Sequence, residues 1–235
     1  MSTIQEDFDR IAPVSKDGAA HNDHYHNFLL RHLPSNCHDV LEIGCGTGGF
    51  ARRLAERSQH VLALDLSGEM IRIARERSAQ FSNLEFELAD VCDRVFPAES
   101  FDCIVTIAAL HHMPFREIVL KMKAALKPGG VLLVLDLFEP ARNLLKPEGL
   151  LDAGLNVLAL GVSVSLRVVH QGRVLPRREV REAWAEHLRH DIYPTMSKVR
   201  ELCADVLPGA KVRKHLLWRY SIVWQKRAVK SVPPA

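Results

Sequence analysis

The apolar run Val40-Leu41-Glu42-Ile43 breaks into Gly44-Cys45-Gly46-Thr47-Gly48-Gly49, and no other feature of the chain restricts its fold as strongly. A strand that ends in glycines and turns into a helix brings bare backbone close to a ligand. Its amide N–H groups and the positive helix end then face outward. Downstream, apolar runs alternate with amphipathic stretches, which predicts strand–helix–strand units, a mainly parallel sheet and helices on both faces. Strands are expected near 39–43, 60–65, 84–88, 101–107 and 130–137, with helices near 48–57, 68–79 and 115–126. Pro114 suits the first turn of the last of these helices.

The glycines alone leave two ligands open, because Gly44, Gly46 and Gly49 also satisfy the dinucleotide spacing G-x-G-x-x-G. Three acids favour S-adenosyl-L-methionine (SAM). Glu42, two residues before Gly44, repels a pyrophosphate and tolerates an ammonium group. Asp65 ends the run Val61-Leu62-Ala63-Leu64, where a carboxylate accepts hydrogen bonds from ribose hydroxyls of either ligand. Asp90 ends Leu84-Glu85-Phe86-Glu87-Leu88-Ala89, where a carboxylate can accept from an adenine amino group.

Across residues 38–138 the chain resembles the class I SAM-dependent methyltransferases, in particular their UbiE/UbiG-like small-molecule branch. Leu41-Glu42-Ile43-Gly44-Cys45-Gly46-Thr47-Gly48 is similar to their first motif and Leu64-Asp65-Leu66-Ser67-Gly68-Glu69-Met70 to their second-strand signature. Ala89-Asp90-Val91 resembles the adenine contact, Phe101-Asp102 the start of the fourth strand, and Leu126-Lys127-Pro128-Gly129-Gly130 the turn before the fifth. The resemblance implies a Rossmann-like α/β fold with a seven-stranded, mainly parallel sheet in the order 3-2-1-4-5-7-6, whose final strand runs antiparallel. It also implies a SAM site built from Glu42, Gly44, Cys45, Gly46, Thr47, Gly48, Asp65, Leu66, Met70, Asp90, Val91 and Ile107. Tyr25 would cover the cofactor from an N-terminal helix, and S-adenosylhomocysteine would be the product.

At 235 residues and 47% hydrophobic content the chain can bury a full core. One methyltransferase domain is expected, with 1–34 as a helical cap, 38–138 as the SAM-binding core, 141–195 as a substrate-cap insertion, and 196–226 as a final helix and closing strands. A net charge of +3 indicates no general attraction to nucleic acid. The sequence shows no export signal and no 18-residue apolar span, so a cytoplasmic location without a membrane span is expected. The five cysteines lack C-x-x-C spacing, and neither a disulfide framework nor a metal is expected.

Leu150 to Val169 is rich in apolar residues interrupted by Gly154, Gly161 and Ser163. It is read as a helix over the substrate, as a dimer surface, or as a membrane-touching segment, and monomer and homodimer both stay open. Residues 177–190 read as an amphipathic helix, Thr195 as the cap of a helix ending before Pro208-Gly209, and Val212–Leu217 and Tyr220–Gln225 as strands. Methyl transfer needs an in-line nucleophile and, for some acceptors, a proton acceptor. His111 and His112 follow the fourth strand, at the end that faces the reacting group in α/β sheets. His187 lies four residues before Asp191, on one helical face, where a carboxylate can orient an imidazole. These three histidines are the catalytic candidates. The expected acceptor is a small organic molecule with an O, N or S nucleophile. The alternatives are a tRNA or other RNA base, for which Arg167 to Arg181 offers cations, and a non-catalytic SAM-binding regulator.

Overall fold

A computed structural model describes residues 3–15, 21–141, 147–172 and 174–228. Its strands are β1 (Asp39–Ile43), β2 (His60–Asp65), β3 (Leu84–Leu88), β4 (Phe101–Ile107), β5 (Leu126–Leu137), β6 (Lys211–Lys214) and β7 (Arg219–Gln225). They form one sheet in the order β3-β2-β1-β4-β5-β7-β6. The first five are mutually parallel and β7 runs antiparallel to both β5 and β6. The fold and strand order agree with the expectation from sequence.

Period-two alternation sends successive side chains to opposite faces, each of which a helical layer covers. Leu41, Ile104, Leu132 and Val134 pack with α5 (Phe115–Ala125) and α8 (Met196–Val206), through Ile118, Met122, Val199 and Cys203. Val40, Val61, Val105 and Leu133 pack with α2 (His26–Leu30) and α3 (Gly49–Ala55), through Leu29, Phe50 and Leu54. Each such fully buried aliphatic side chain contributes about 1.5–3 kcal/mol. α4 (Gly68–Arg77) starts at the N-cap Ser67, whose hydroxyl accepts the Met70 N–H.

Two strand boundaries differ from the expectation. β5 begins at Leu126 rather than near 130, and its pairing with β4 shifts register between Phe101 and Cys103. A Cβ at Gly130 would lie 2.9 Å from the Lys127 carbonyl oxygen, so only glycine passes this point. β6 stops at Lys214, because Leu217 and Trp218 both turn at φ +58°.

Among the described residues of the N-terminal segment, 4–14 and 21–30 are helical. α1 (Ile4–Ile11) opens with a capping box between Thr3 and Glu6. The glycine-interrupted segment forms a continuous helix, α6 (Pro147–Gln171), and this corrects the reading that no long apolar span exists. Gly149–Val169 has a mean hydropathy of 1.6 and is long and apolar enough to cross a membrane, by length and composition alone. The sequence reading broke the run at Gly154, Gly161 and Ser163, and the helix runs through all three. Its inward face is the polar one: Asp152 pairs with Lys214, and Asn156 accepts from the Trp218 indole at 2.8 Å. Leu150, Leu151, Val157 and Leu158 face outward. α7 (Arg178–His190) then returns to pack against α1.

Candidate active site

The carboxyl ends of β1, β2 and β4 meet at the glycine turn. Gly44 and Cys45 donate to the Leu64 carbonyl at 2.9 Å each, which locks the turn onto β2. Gly44 has φ +73°, and a Cβ there would lie 2.4 Å from the Cβ of Ala109. Gly46 has φ +53° and open space where its Cβ would be, which leaves that side of the turn free for a ligand. Cys45 is buried and Thr47 lends its carbonyl to Arg52 at 3.0 Å, so both shape the loop. Gly48, at φ +76°, is the N-cap of α3.

Asp65 holds two backbone donors, Gly46 N–H at 2.8 Å on Oδ2 and Ser67 N–H at 2.9 Å on Oδ1. Burial raises its pKa, and these N–H groups oppose the rise. Glu42 is 2% exposed, and among the described residues its Oε2 has no hydrogen-bond partner. Burial, and then the charge of Asp65, push its carboxyl well above the usual range. A buried acid with an orphaned oxygen beside an open glycine turn suits a ligand that carries an ammonium group.

The remaining cofactor candidates divide. Asp90 is exposed and accepts the Cys92 N–H at 2.8 Å, while Val91 is buried in the core and Ile107 ends β4 half-buried. Leu66 is half-buried at the end of β2, beside Asp65. Met70 is buried among Ile11, Ala12, Ile73 and Ala183, beneath α1. Tyr25 donates its hydroxyl to the Leu216 carbonyl at 2.6 Å and leans on His215, so it is anchored to the turn between β6 and β7.

Beyond β4 the chain turns at Ala108, with φ +51°, into the short 3-10 helix Leu110–His112. A positive φ at a non-glycine residue is uncommon, and such strain concentrates at functional sites. The His111 and His112 rings are tilted 46° to each other, with centroids 3.8 Å apart. His111 Nδ1 lies 2.6 Å from Asp136 Oδ1, and its backbone N–H donates to Oδ2 at 2.8 Å. The helix end of α7 completes the group. His187 Nε2 is 3.2 Å from Asp191 Oδ2, and His187 Nδ1 is 3.3 Å from Asp7 of α1. Tyr193 donates to Asp191 at 2.6 Å. Phe8 packs edge-on against His112 and His187.

The spacing of His187 and Asp191 therefore marks a buried pair rather than a solvated helix end, with side chains 2% and 3% exposed. Burial alone would lower the pKa of His187, but the hydrogen bond and charge of Asp191, with those of Asp7, raise it. His112 behaves oppositely. Burial, and the neighbouring His111, lower it to about 4.

Sequence reasoning missed Asp136, Asp7 and Arg219. A lone acid inside Val131-Leu132-Leu133-Val134-Leu135-Asp136-Leu137 was a usable signal, since a carboxylate in a buried strand needs partners. Arg219, 8% exposed, donates to Asn22 at 2.6 Å and to the Leu217 carbonyl at 2.9 Å. Asp136, Tyr25 and Tyr193 offset its burial electrostatically. Only the fold brings these residues together.

A methyltransferase-domain family model matches residues 40–130, the stretch that carries the glycine turn, Asp65, Asp90 and the histidine pair. An uncharacterized methyltransferase of Mycobacterium tuberculosis is 30% identical over 208 residues, covering 87% of this chain and 95% of its own. A ubiquinone/menaquinone biosynthesis C-methyltransferase of Teredinibacter turnerae is 35% identical over 115 residues, 46% of each chain. Among solved structures, the N-methyltransferase NodS of Bradyrhizobium japonicum in complex with S-adenosylhomocysteine shares the fold. Its TM-score is 0.60 at 16% identity, over 94% of this chain and 97% of that one. The chain belongs to the class I SAM-dependent methyltransferases. It is an enzyme, and its cofactor is SAM.

Proposed function

We propose that this enzyme methylates an oxygen, nitrogen or sulfur atom of a small organic acceptor bound beneath α1 and α7, where β4 and β5 end. The observation that carries the reading is the buried group of His111, His112, His187 and Asp191 beside the glycine turn. It is enclosed by Asp7 and Phe8 of α1 and by the C-terminal end of α7.

SAM supplies an electrophilic methyl group on a positively charged sulfur. Glu42 would take its ammonium group, the open side of Gly46 would admit its backbone-facing portion, and Asp65 would accept from its ribose hydroxyls with the lone pairs its two N–H donors leave unused. Leu66, Val91 and Asp90 would border the adenine. Asp136, accepting from His111 Nδ1, fixes the tautomer in which Nε2 carries the lone pair. That lone pair faces Asp191, so the cluster can orient an acceptor X–H group and draw off its proton. Phe8 excludes water from the same space. The name of the Teredinibacter turnerae relative, a quinone-biosynthesis enzyme, supports a small acceptor.

Calorimetry with SAM, followed by transfer of labelled methyl groups to a panel of phenols, amines and thiols with bulk tRNA in parallel, tests the reading. Transfer to a small acceptor is expected. Transfer to tRNA alone, or SAM binding with no transfer to any acceptor, overturns it.

A further inference from the structure

We propose that His111, His112 and Asp191 form a binding site for a divalent transition-metal ion, of the zinc or iron(II) class, with its open position toward the acceptor. The proposal rests on the acceptor-site reading above and deepens it.

Three imidazole nitrogens converge on one carboxylate. Asp191 lies 3.2 Å from His187 Nε2, 3.6 Å from His112 Nδ1 and 3.9 Å from His111 Nε2. The first is an ion pair, but the other two are too long for hydrogen bonds. They are close to the spacing of ligand atoms around one cation. Bonds of about 2.0 Å in tetrahedral geometry place ligand atoms about 3.3 Å apart. One ligand atom from each of His111, His112 and Asp191 lies within 4.8 Å of the others.

The surroundings follow the same logic. Metal-bound histidines fix the ring by donating their other N–H to a carboxylate. His111 has Asp136 at 2.6 Å in that place, and His187, which steadies Asp191, has Asp7 at 3.3 Å. His112 turns Nδ1 toward Asp191, and its Nε2 has no hydrogen-bond partner among the described residues, so this ring is positioned by its packing against His111 and Phe8. Two imidazoles and one carboxylate suit zinc and iron(II), and three protein ligands leave a coordination position free. A cation there would occupy the His111 Nε2 lone pair and hold the acceptor's oxygen or nitrogen, so acidification of the acceptor by the cation would replace proton transfer to that histidine and narrow the substrate class to molecules with a coordinating heteroatom. Local spacing carries no such hint, since 78 residues lie between His112 and Asp191.

The test is metal uptake by the 235-residue chain. Zinc chloride is titrated by calorimetry, cobalt(II) is followed by its visible absorption, and SAM affinity is measured on the same samples. One equivalent of metal with micromolar affinity is expected, falling at least 30-fold in Asp191→Asn and His112→Gln while SAM affinity stays within threefold. The exposed His60→Gln variant should take up metal like the wild type. If Asp191→Asn does not fold, His112→Gln carries the comparison. A wild-type chain that binds SAM but takes up no metal overturns the cation site and leaves the methyltransferase reading standing. Uptake undiminished in His112→Gln also overturns it. A chain that takes up one metal at this site yet methylates no small acceptor supports the site and overturns the acceptor reading.

Discussion

Asp136 holds His111 at two points: Oδ1 lies 2.6 Å from the ring Nδ1 and Oδ2 accepts the residue's own backbone N–H at 2.8 Å. The carboxylate is fully buried in β5, so the loop after β4 and the tautomer of its histidine are set by one side chain from the neighbouring strand. Asp136→Asn keeps an acceptor for the backbone N–H but turns a donor toward Nδ1, which moves the ring proton to Nε2. We expect kcat to fall about 100-fold or more, with SAM affinity unchanged. Steady-state kinetics and calorimetry on the variant check this, and an unaltered kcat would remove His111 from the proton path.

Glu42 predicts a proton count. Its carboxyl is raised well above the ordinary value, so it holds a proton in the free enzyme at a pH where an exposed glutamate has lost it. A bound ammonium favours the carboxylate, so SAM binding should release a proton from Glu42, and affinity should rise with pH up to the raised value. Calorimetry in buffers of different ionisation enthalpy measures the release. Glu42→Gln should abolish that component, and equal proton counts in the two proteins would contradict the assignment.

Gly44→Ala combines two penalties. A left-handed backbone costs alanine about 1–2 kcal/mol, and the new methyl would meet Ala109 at 2.4 Å. Because the turn is pinned to Leu64 at both Gly44 and Cys45, the strain has no easy outlet. A lower melting temperature together with at least a tenfold loss of SAM affinity is expected. Normal affinity would show that the turn has slack.

Asp102 ties the start of β1 to β4, accepting from the His38 and Asp39 N–H groups at 3.0 and 2.8 Å and from Lys127 at 3.0 Å. Burial alone would raise its pKa, but the Asp39 N–H, Lys127 and the His38 N–H bring it below the ordinary value. A depressed folded-state pKa adds stability that is complete above the unfolded value of about 3.9 and is lost as pH falls through the folded one. Asp102→Asn should therefore be less stable than the wild type by about 1 kcal/mol at pH 7, and the gap should close as pH falls below the unfolded value and through the lower folded one. Urea unfolding across that range decides. A gap independent of pH would mean that the charge contributes nothing.

The parallel sheet was legible because each buried strand is an apolar run closed by a turn signal: β1, β2, β3 and β4 fall at their expected bounds. The positions of the acids expected to meet the cofactor were legible for the same reason, since strand ends fix where Glu42 and Asp65 lie. Asp65 nonetheless does more than a ligand contact requires. By holding the Gly46 and Ser67 N–H groups it also braces the loop, so Asp65→Ala should lower thermal stability as well as SAM affinity, measurable by parallel melts and titrations. The histidine cluster was only half legible. His111, His112 and His187 could be nominated from local spacing. Asp7, Asp136 and Arg219 come from the N-terminal helix, β5 and β7, and no local pattern joins them. A helix was among the readings of 150–169, and only the length of its apolar span was missed, because Gly154, Gly161 and Ser163 interrupt the run in sequence while α6 passes through all three.

α1 touches both ends of the site. Asp9 accepts from the Ser67 hydroxyl at 2.5 Å and from the Glu69 N–H at 3.2 Å, beside the cofactor strand, while Asp7 and Phe8 reach the histidines. An eight-residue helix does not persist alone in water. Its order therefore depends on the same side chains whose enclosure it provides, so closing over the histidine cluster and folding α1 are a single event.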